Sequence, residues 1–295
     1  MKWMKGTFLL LAANILIMVT LSLTVPLLIN IVLPMFGVDL RGSVDLSSLV
    51  WALVLGFGGA FISLAFSKQM ARAMLDCRQI TQPQSHAEQV VYGSVQEIAQ
   101  RLHITMPEVW VYESADPNAF ATGPSKNNSM VAVSTGLLTH LQEQEVRAVL
   151  AHEMGHVYNG DMFATTVLAG LMNTFVYYIS MWVRRFFAER DQAMLGFGLS
   201  IVLQIIVSVL ASVLISWFSR HREYGADAFS AKVYGKDSMI SALRAIDRWV
   251  TRSQIEYSSQ DALATMKISG NSSGFMHLFA THPPIEARID ALERL

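Results

Sequence analysis

Ala151-His152-Glu153-Met154-Gly155-His156 is the stretch from which this chain is read. It stands inside a segment, Gln142 to about Asn159, whose pattern is helical. Two histidines four residues apart lie one turn apart on the same helix face, so both imidazoles can reach one ion. Glu153, between them in sequence, suits a general base for water activated beside that ion. At about 100° per residue Glu153 falls within the apolar arc of Val146, Val149, Leu150 and Val157. A carboxylate on a buried arc is costly unless it is paired or close to a metal. A surface helix with satisfied histidines does not explain that placement.

A catalytic zinc usually takes three protein ligands and leaves a fourth position open. Cysteine cannot complete the set as a cluster, because Cys77 is the sole cysteine and internal disulfides are excluded. We assign Cys77 no role. The best third ligand is Glu223, in Arg220-His221-Arg222-Glu223-Tyr224-Gly225-Ala226-Asp227. Glu223 and Asp227 share a helix face at i and i+4, so Asp227 can accept a hydrogen bond from a ligating imidazole and fix its tautomer. His221 competes for the ligand role but lacks the downstream carboxylate. A charged helix start just outside a membrane is the structural alternative for this segment.

The two motifs are separated by strongly apolar sequence. Apolar residues make up 52% of the chain and charged ones 15%, against about 25% charged in a typical globular protein. The net charge of −1 gives no electrostatic case for nucleic acid. Four stretches reach the length of about 20 apolar residues that a helical membrane crossing takes. They run from Thr7 to Phe36 (a retained anchor rather than a signal peptide, punctuated by Pro26 and Pro34), Leu46 to Ser67, Met162 to Val183 and Gln192 to Ser219. Gly56, Gly58 and Gly59 in the second are expected to permit close helix packing.

Lys2, Lys5, Lys68, Arg72 and Arg78 flank the first pair of spans and place both its ends in the cytoplasm. Arg184, Arg185 and Arg190 lie in the turn of the second pair, opposed by Arg220 and Arg222. That pair either crosses fully or dips into the bilayer. His156 and Glu223 share one ion only if the chain between them crosses an even number of times, so the site faces the cytoplasm in both cases.

The chain therefore divides into residues 1–70, an N-terminal transmembrane hairpin; 71–161, the first part of a catalytic domain; 162–219, a second hairpin; and 220–295, the rest of that domain. Within the first soluble part we expect a helix around Glu88 to Leu102, strands at Glu108–Tyr112 and Met130–Val133, and a turn at Asp116-Pro117-Asn118. Helices are expected over Arg220–Val233, Asp237–Val250 and after Pro284. The fold class is mainly α with a small β-sheet.

Five segments together resemble the HtpX family of bacterial membrane heat-shock metalloproteases, relatives of the CAAX prenyl proteases. They are Asn118-Ala-Phe-Ala-Thr-Gly123, Val133-Ser-Thr-Gly-Leu-Leu138, Leu150-Ala-His-Glu-Met-Gly-His156, Ser219-Arg-His-Arg-Glu-Tyr-Gly-Ala-Asp227 and Thr281-His-Pro-Pro-Ile-Glu-Ala-Arg288. Order and spacing agree over nearly the whole chain. The resemblance implies a gluzincin-type domain facing the cytoplasm, one Zn2+ per subunit on His152, His156 and Glu223, and Glu153 as general base and acid. It also implies that Asn118, Ala119, Phe120 and Ala121 form an edge strand that pairs with the substrate backbone, and that His282 and Arg288 lie near the site. His282 there either steadies the oxyanion or merely starts a helix before Pro283 and Pro284.

The expected protein is a multi-pass inner-membrane endopeptidase in contact with the lipid bilayer. The resemblance further implies that the substrates are misfolded or damaged membrane proteins, cut in their cytoplasmic parts, or other unfolded polypeptides, with self-cleavage and a stress-response role. Two rivals differ in kind. In an intramembrane protease the zinc helix would lie within the bilayer, whereas Glu143, Glu145, Arg147 and Asp161 bracket this one. A metal-binding scaffold without catalysis would not need Glu153. A transporter is disfavoured, because none of the four spans contains an ionisable residue.

Overall fold

A computed structural model describes Met35 and residues 46–260 and 282–295. The first expected span, Thr7 to Phe36, apart from Met35, its flanking Lys2, Lys5 and Arg41, and Thr281 lie outside the described residues. The chain forms two compact units, one of Met1–Phe61 with Thr166–Ala211 and one of Ile62–Thr165 with Ser212–Leu295.

The first unit is built from long apolar helices: α1 (Leu46–Ala65), most of α6 (Asp161–Ala188) and the first part of α7 (Ala193–Tyr234). Among the described residues these three helices are long and apolar enough to cross a membrane. α1 and α6 pack closely. A Cβ on Gly56 would collide with the Thr174 backbone, and one on Gly170 would strike the Phe57 ring. Among the described residues nothing lies within 4 Å of a Cβ on Gly58 or Gly59, and the close contact is made by Gly56 of α1 and Gly170 of α6.

The second unit carries the sheet. β2 (Glu108–Tyr112) and β4 (Asn128–Ser134) pair in parallel, β3 (Ala119–Ser125) lies antiparallel outside β4, and the two-residue β1 (Arg78–Gln79) flanks β2. Alternation sets the two faces. Val109, Val111, Val131 and Val133 enter the main core, while Met130 and Ala132 enter a smaller cluster with Tyr112, Trp110 and Phe120. β4 is buried on both faces, as its run Met130-Val-Ala-Val133 requires. The main core is closed by α3 (His86–Leu102), α5 (Glu143–Asn159), α8 (Lys236–Gln260) and α9 (Ile285–Glu293). Ser85 caps α3 by accepting from the Glu88 N–H at 3.2 Å.

Three short elements are not evident in the sequence pattern: α2 (Ser67–Leu75), β1 and α4 (Thr135–His140). The expected helices over 192–219 and 220–233 are one continuous 42-residue helix, α7. Hydropathy changes at Ser219–Arg220, but nothing there breaks the backbone.

Candidate metal centre

α5 presents His152 and His156, and α7 presents Glu223 and Asp227, each pair one turn apart. The two helices meet closely because the motif glycine lets them. A Cβ on Gly155 would come within 3.3 Å of the Ala226 Cα and 3.2 Å of the Phe229 ring. Ser230 Oγ donates to the Ala148 carbonyl at 2.7 Å and fixes the register of α7 on α5.

That register brings three side chains to one point. His152 Nε2 and His156 Nε2 are 3.1 Å apart, and they lie 3.4 and 3.3 Å from the two carboxylate oxygens of Glu223. The other ring nitrogens are occupied. His152 Nδ1 is 2.9 Å from Asp227 Oδ1, and His156 Nδ1 is 2.6 Å from Asp161 Oδ2. A carboxylate can only accept, so each Nδ1 carries the proton and each Nε2 turns a lone pair inward. Two lone pairs and a carboxylate then converge with no donor among them. Glu223 Oε2 is buried and accepts no well-formed hydrogen bond, although His282 Nδ1 stands 2.8 Å away. A donor set of this kind suits a cation.

The spacing fits one as well. Ligands about 2.0–2.1 Å from a zinc at tetrahedral angles stand roughly 3.3 Å from each other, close to the distances seen here. In the metal-free state the same convergence acts on protons. Burial alone would lower the His156 pKa, but the Asp161 and Glu223 carboxylates outweigh it and push it up to about 10. Burial likewise opposes charge on His152, yet Asp227 and Glu223 hold its pKa above the ordinary value.

Glu153 is half-buried beside the cluster and, among the described residues, makes no hydrogen bond or ion pair. Burial raises its pKa, and the repulsion of Glu223 adds to that against the pull of the two histidines. A carboxylate so placed holds a proton more readily than an ordinary glutamate. His282 is brought to the site at Glu223 and is 65% exposed. Arg288 is buried and grips Asp227 at two points, 2.8 and 2.6 Å, with Glu223 Oε2 3.7 Å away.

β3 borders the sheet, with no strand beyond it among the described residues. Its register decides which backbone groups are open. The Ser134 N–H donates to the Asn118 carbonyl, and the Asn118 N–H donates to Ser134 Oγ, so Asn118 is turned inward. That bond makes Ala119–Val133 a non-hydrogen-bonded pair and Phe120–Ala132 a hydrogen-bonded one. Ala119 and Ala121 therefore direct their N–H and C=O groups to the free edge, while Asn118 and Phe120 do not. The edge ends near Gly123, whose φ of +144° and closeness to the Asn128 carbonyl exclude a side chain.

The model of peptidase family M48 matches residues 85–295. The chain belongs to peptidase family M48. Within M48 it stands with the HtpX proteases. Protease HtpX of Idiomarina loihiensis is 43% identical over 296 residues, covering 99% of both chains. The Protease HtpX homolog of Methylacidiphilum infernorum is 41% identical over 301 residues, again covering 99% of both. A crystal structure of S. mikatae Ste24p shares the fold, with a TM-score of 0.62 at 16% identity, covering 96% of this chain and 66% of that one.

One member of this M48 site is not evident from sequence. Asp161 stands there only as a charge bracketing the zinc motif. It reaches His156 because α5 ends at Gly160, whose φ of +73° turns the chain back on itself. A carboxylate directly after a helix-ending glycine, five residues past the second histidine, is the signal that sequence offers for it.

Proposed function

We propose that this M48 protease is a membrane-bound zinc endopeptidase. The observation that carries the reading is the convergence of the His152 and His156 Nε2 atoms on the Glu223 carboxylate with both Nδ1 atoms already held by carboxylates. His152, His156 and Glu223 hold one zinc ion. Zinc held there supplies Lewis acidity and makes water a nucleophile near neutral pH.

The protein's own groups do the rest. An extended peptide joins the free edge of β3 through the Ala119 and Ala121 main chain, which demands little of its sequence. Glu153 takes a proton from the attacking water and returns it to the leaving amine. A hydrogen bond from His282 steadies the developing oxyanion. Arg288 holds Asp227, and Asp227 holds the His152 tautomer.

The division into two hairpins and a split catalytic domain, with the site on the cytoplasmic side of the inner membrane, belongs to the same reading. In support, α6 has 28 residues and α7 has 42. At 1.5 Å per residue each is long enough for the roughly 30 Å hydrocarbon core, which supports a second hairpin that crosses fully. The substrates are misfolded or damaged membrane proteins cut in their cytoplasmic parts, under stress, with self-cleavage. The intramembrane rival is disfavoured by Glu143, which is half-exposed at the start of α5 and paired with Arg147. Purified chain should cleave an unfolded model protein and lose that activity with a chelator. Glu153→Gln should keep its zinc and lose cleavage by about 10² to 10⁴-fold; an active Glu153→Gln protein refutes the mechanism.

A further inference from the structure

Asp161 and Arg222 stand at the two ends of the apolar hairpin, Asp161 as the first residue of α6 and Arg222 one residue before Glu223 on α7. They meet. Arg222 Nη1 donates a short hydrogen bond to the Asp161 carbonyl and lies 3.8 Å from Asp161 Oδ1. Both side chains are mostly buried, and the guanidinium also sits 5.1 Å from the centre of the Phe218 ring. Asp161 in turn is 2.6 Å from His156 Nδ1. With the peptide link from Arg222 to Glu223, these contacts close a ring that runs from His156 through Asp161 and Arg222 to Glu223 and back to His156 at 3.3 Å.

On the reading that His152, His156 and Glu223 hold zinc, we propose that Asp161 and Arg222 are a positioning pair that locks the base of the hairpin to the metal site. Asp161 sets the tautomer and ring orientation of His156. Arg222 neutralises Asp161 and clamps its main chain, so that α6 cannot shift against α7. The need is mechanical. His156 and Glu223 are joined through two helices of 28 and 42 residues, and a small rotation at the base would move one ligand relative to the other. Asp227 and Arg288 give His152 a comparable support. The pair at Asp161 gives the second histidine its own, and does so with the residues that begin and end the hairpin.

The test is a set of zinc dissociation constants, measured on purified full-length chain by competition with a chromophoric chelator. Arg222→Gln and Asp161→Asn should each weaken zinc binding by about 10-fold or more, the usual effect of losing an outer partner of a ligating histidine. Because Arg222 acts through Asp161, the double variant should bind zinc no worse than Asp161→Asn alone. Arg222→Lys keeps the charge and should recover most of the affinity. The helical circular dichroism of zinc-free protein should stay unchanged across the set, which a general folding defect would not allow.

Losses that multiply in the double variant overturn the pair, as does an Arg222→Gln protein that binds zinc as wild type does. If Arg222→Gln does not fold, Asp161→Asn with and without Arg222→Lys makes the same comparison, and a further loss on adding the lysine overturns it. A wild-type chain that binds no zinc, or an undiminished affinity in Glu223→Ala, overturns the ligand assignment itself and the pair with it.

Discussion

The two ends of α7 obey opposite rules of burial. In the first part of the helix Ile205, Leu210 and Trp217 are 60%, 64% and 55% exposed, whereas in the last turns Glu223 and Asp227 are only 4% and 2% exposed. In water both halves would be unfavourable. The inversion makes sense when each half has its own solvent: hydrocarbon around the apolar part, and cations around the carboxylates. Arg288 supplies part of that cationic surrounding, and the metal ion we infer supplies the rest.

Removing the carboxylate that faces the histidines should have the largest effect. Glu223→Ala should lose the metal and, with it, at least about 10³-fold in cleavage, since the residue both ligates and assembles the site. Zinc content and activity of purified protein are the measurements. A variant that retains full zinc would show that the apparent cation hole is not a ligand set.

Removing a partner rather than the carboxylate tests the same end more gently. Arg288→Met should leave Asp227 buried with the His152 N–H in place but its cation gone, costing up to about 3–5 kcal/mol by analogy with other broken buried pairs. Thermal or denaturant unfolding in detergent reads this, and a loss below about 1 kcal/mol would mean that Asp227 is solvated after all. At the apolar end, Leu210→Arg should cost about 3 kcal/mol of membrane insertion if that face meets hydrocarbon at mid-depth. Carbonate extraction of expressed chain separates the outcomes; unaltered retention in the membrane fraction would place residue 210 away from lipid.

How much of this is legible without coordinates depends on how local the physics is. His152, His156, Glu223 and Asp227 are legible because one helical turn relates the members of each pair, and periodicity is visible in sequence. The β-rich runs Glu108–Tyr112 and Met130–Val133 are legible because short apolar, β-branched and aromatic stretches bounded by turn residues read as strands. Asp161 is not, since its contact with His156 depends on the left-handed turn at Gly160. α2 is hidden because the chain resumes helix one residue after α1 ends. The family resemblance groups Asn118 with the edge strand, but only the pairing register shows that its backbone groups are spent on Ser134. The fusion of the fourth span with the helix bearing Glu223 is hidden for a different reason: composition changes at Arg220 while the hydrogen-bond ladder does not.

Glu108 offers the mildest test, because it repeats the carboxylate–cation pairing of α7 where water can reach it. It bonds Lys68 at 2.7 Å, Arg72 at 2.6 Å and the Trp110 indole N–H at 3.1 Å. Partial burial works against its charge, but the hydrogen bonds from Lys68 and Trp110 and the nearby cations outweigh it and hold the pKa below the usual carboxylate range. A depressed folded pKa means that the contribution is fully present above the unfolded value of about 4.3 and is lost as pH falls through the folded one. Because the cluster is part-exposed, solvent screening limits the contribution to less than about 1 kcal/mol. Wild type should therefore exceed Glu108→Gln in stability by that small margin at pH 7, with the gap shrinking as acid protonates the folded-state carboxylate. A gap that stays constant as the pH falls would mean that the carboxylate's charge contributes nothing, and that its packing against Trp110 accounts for the difference.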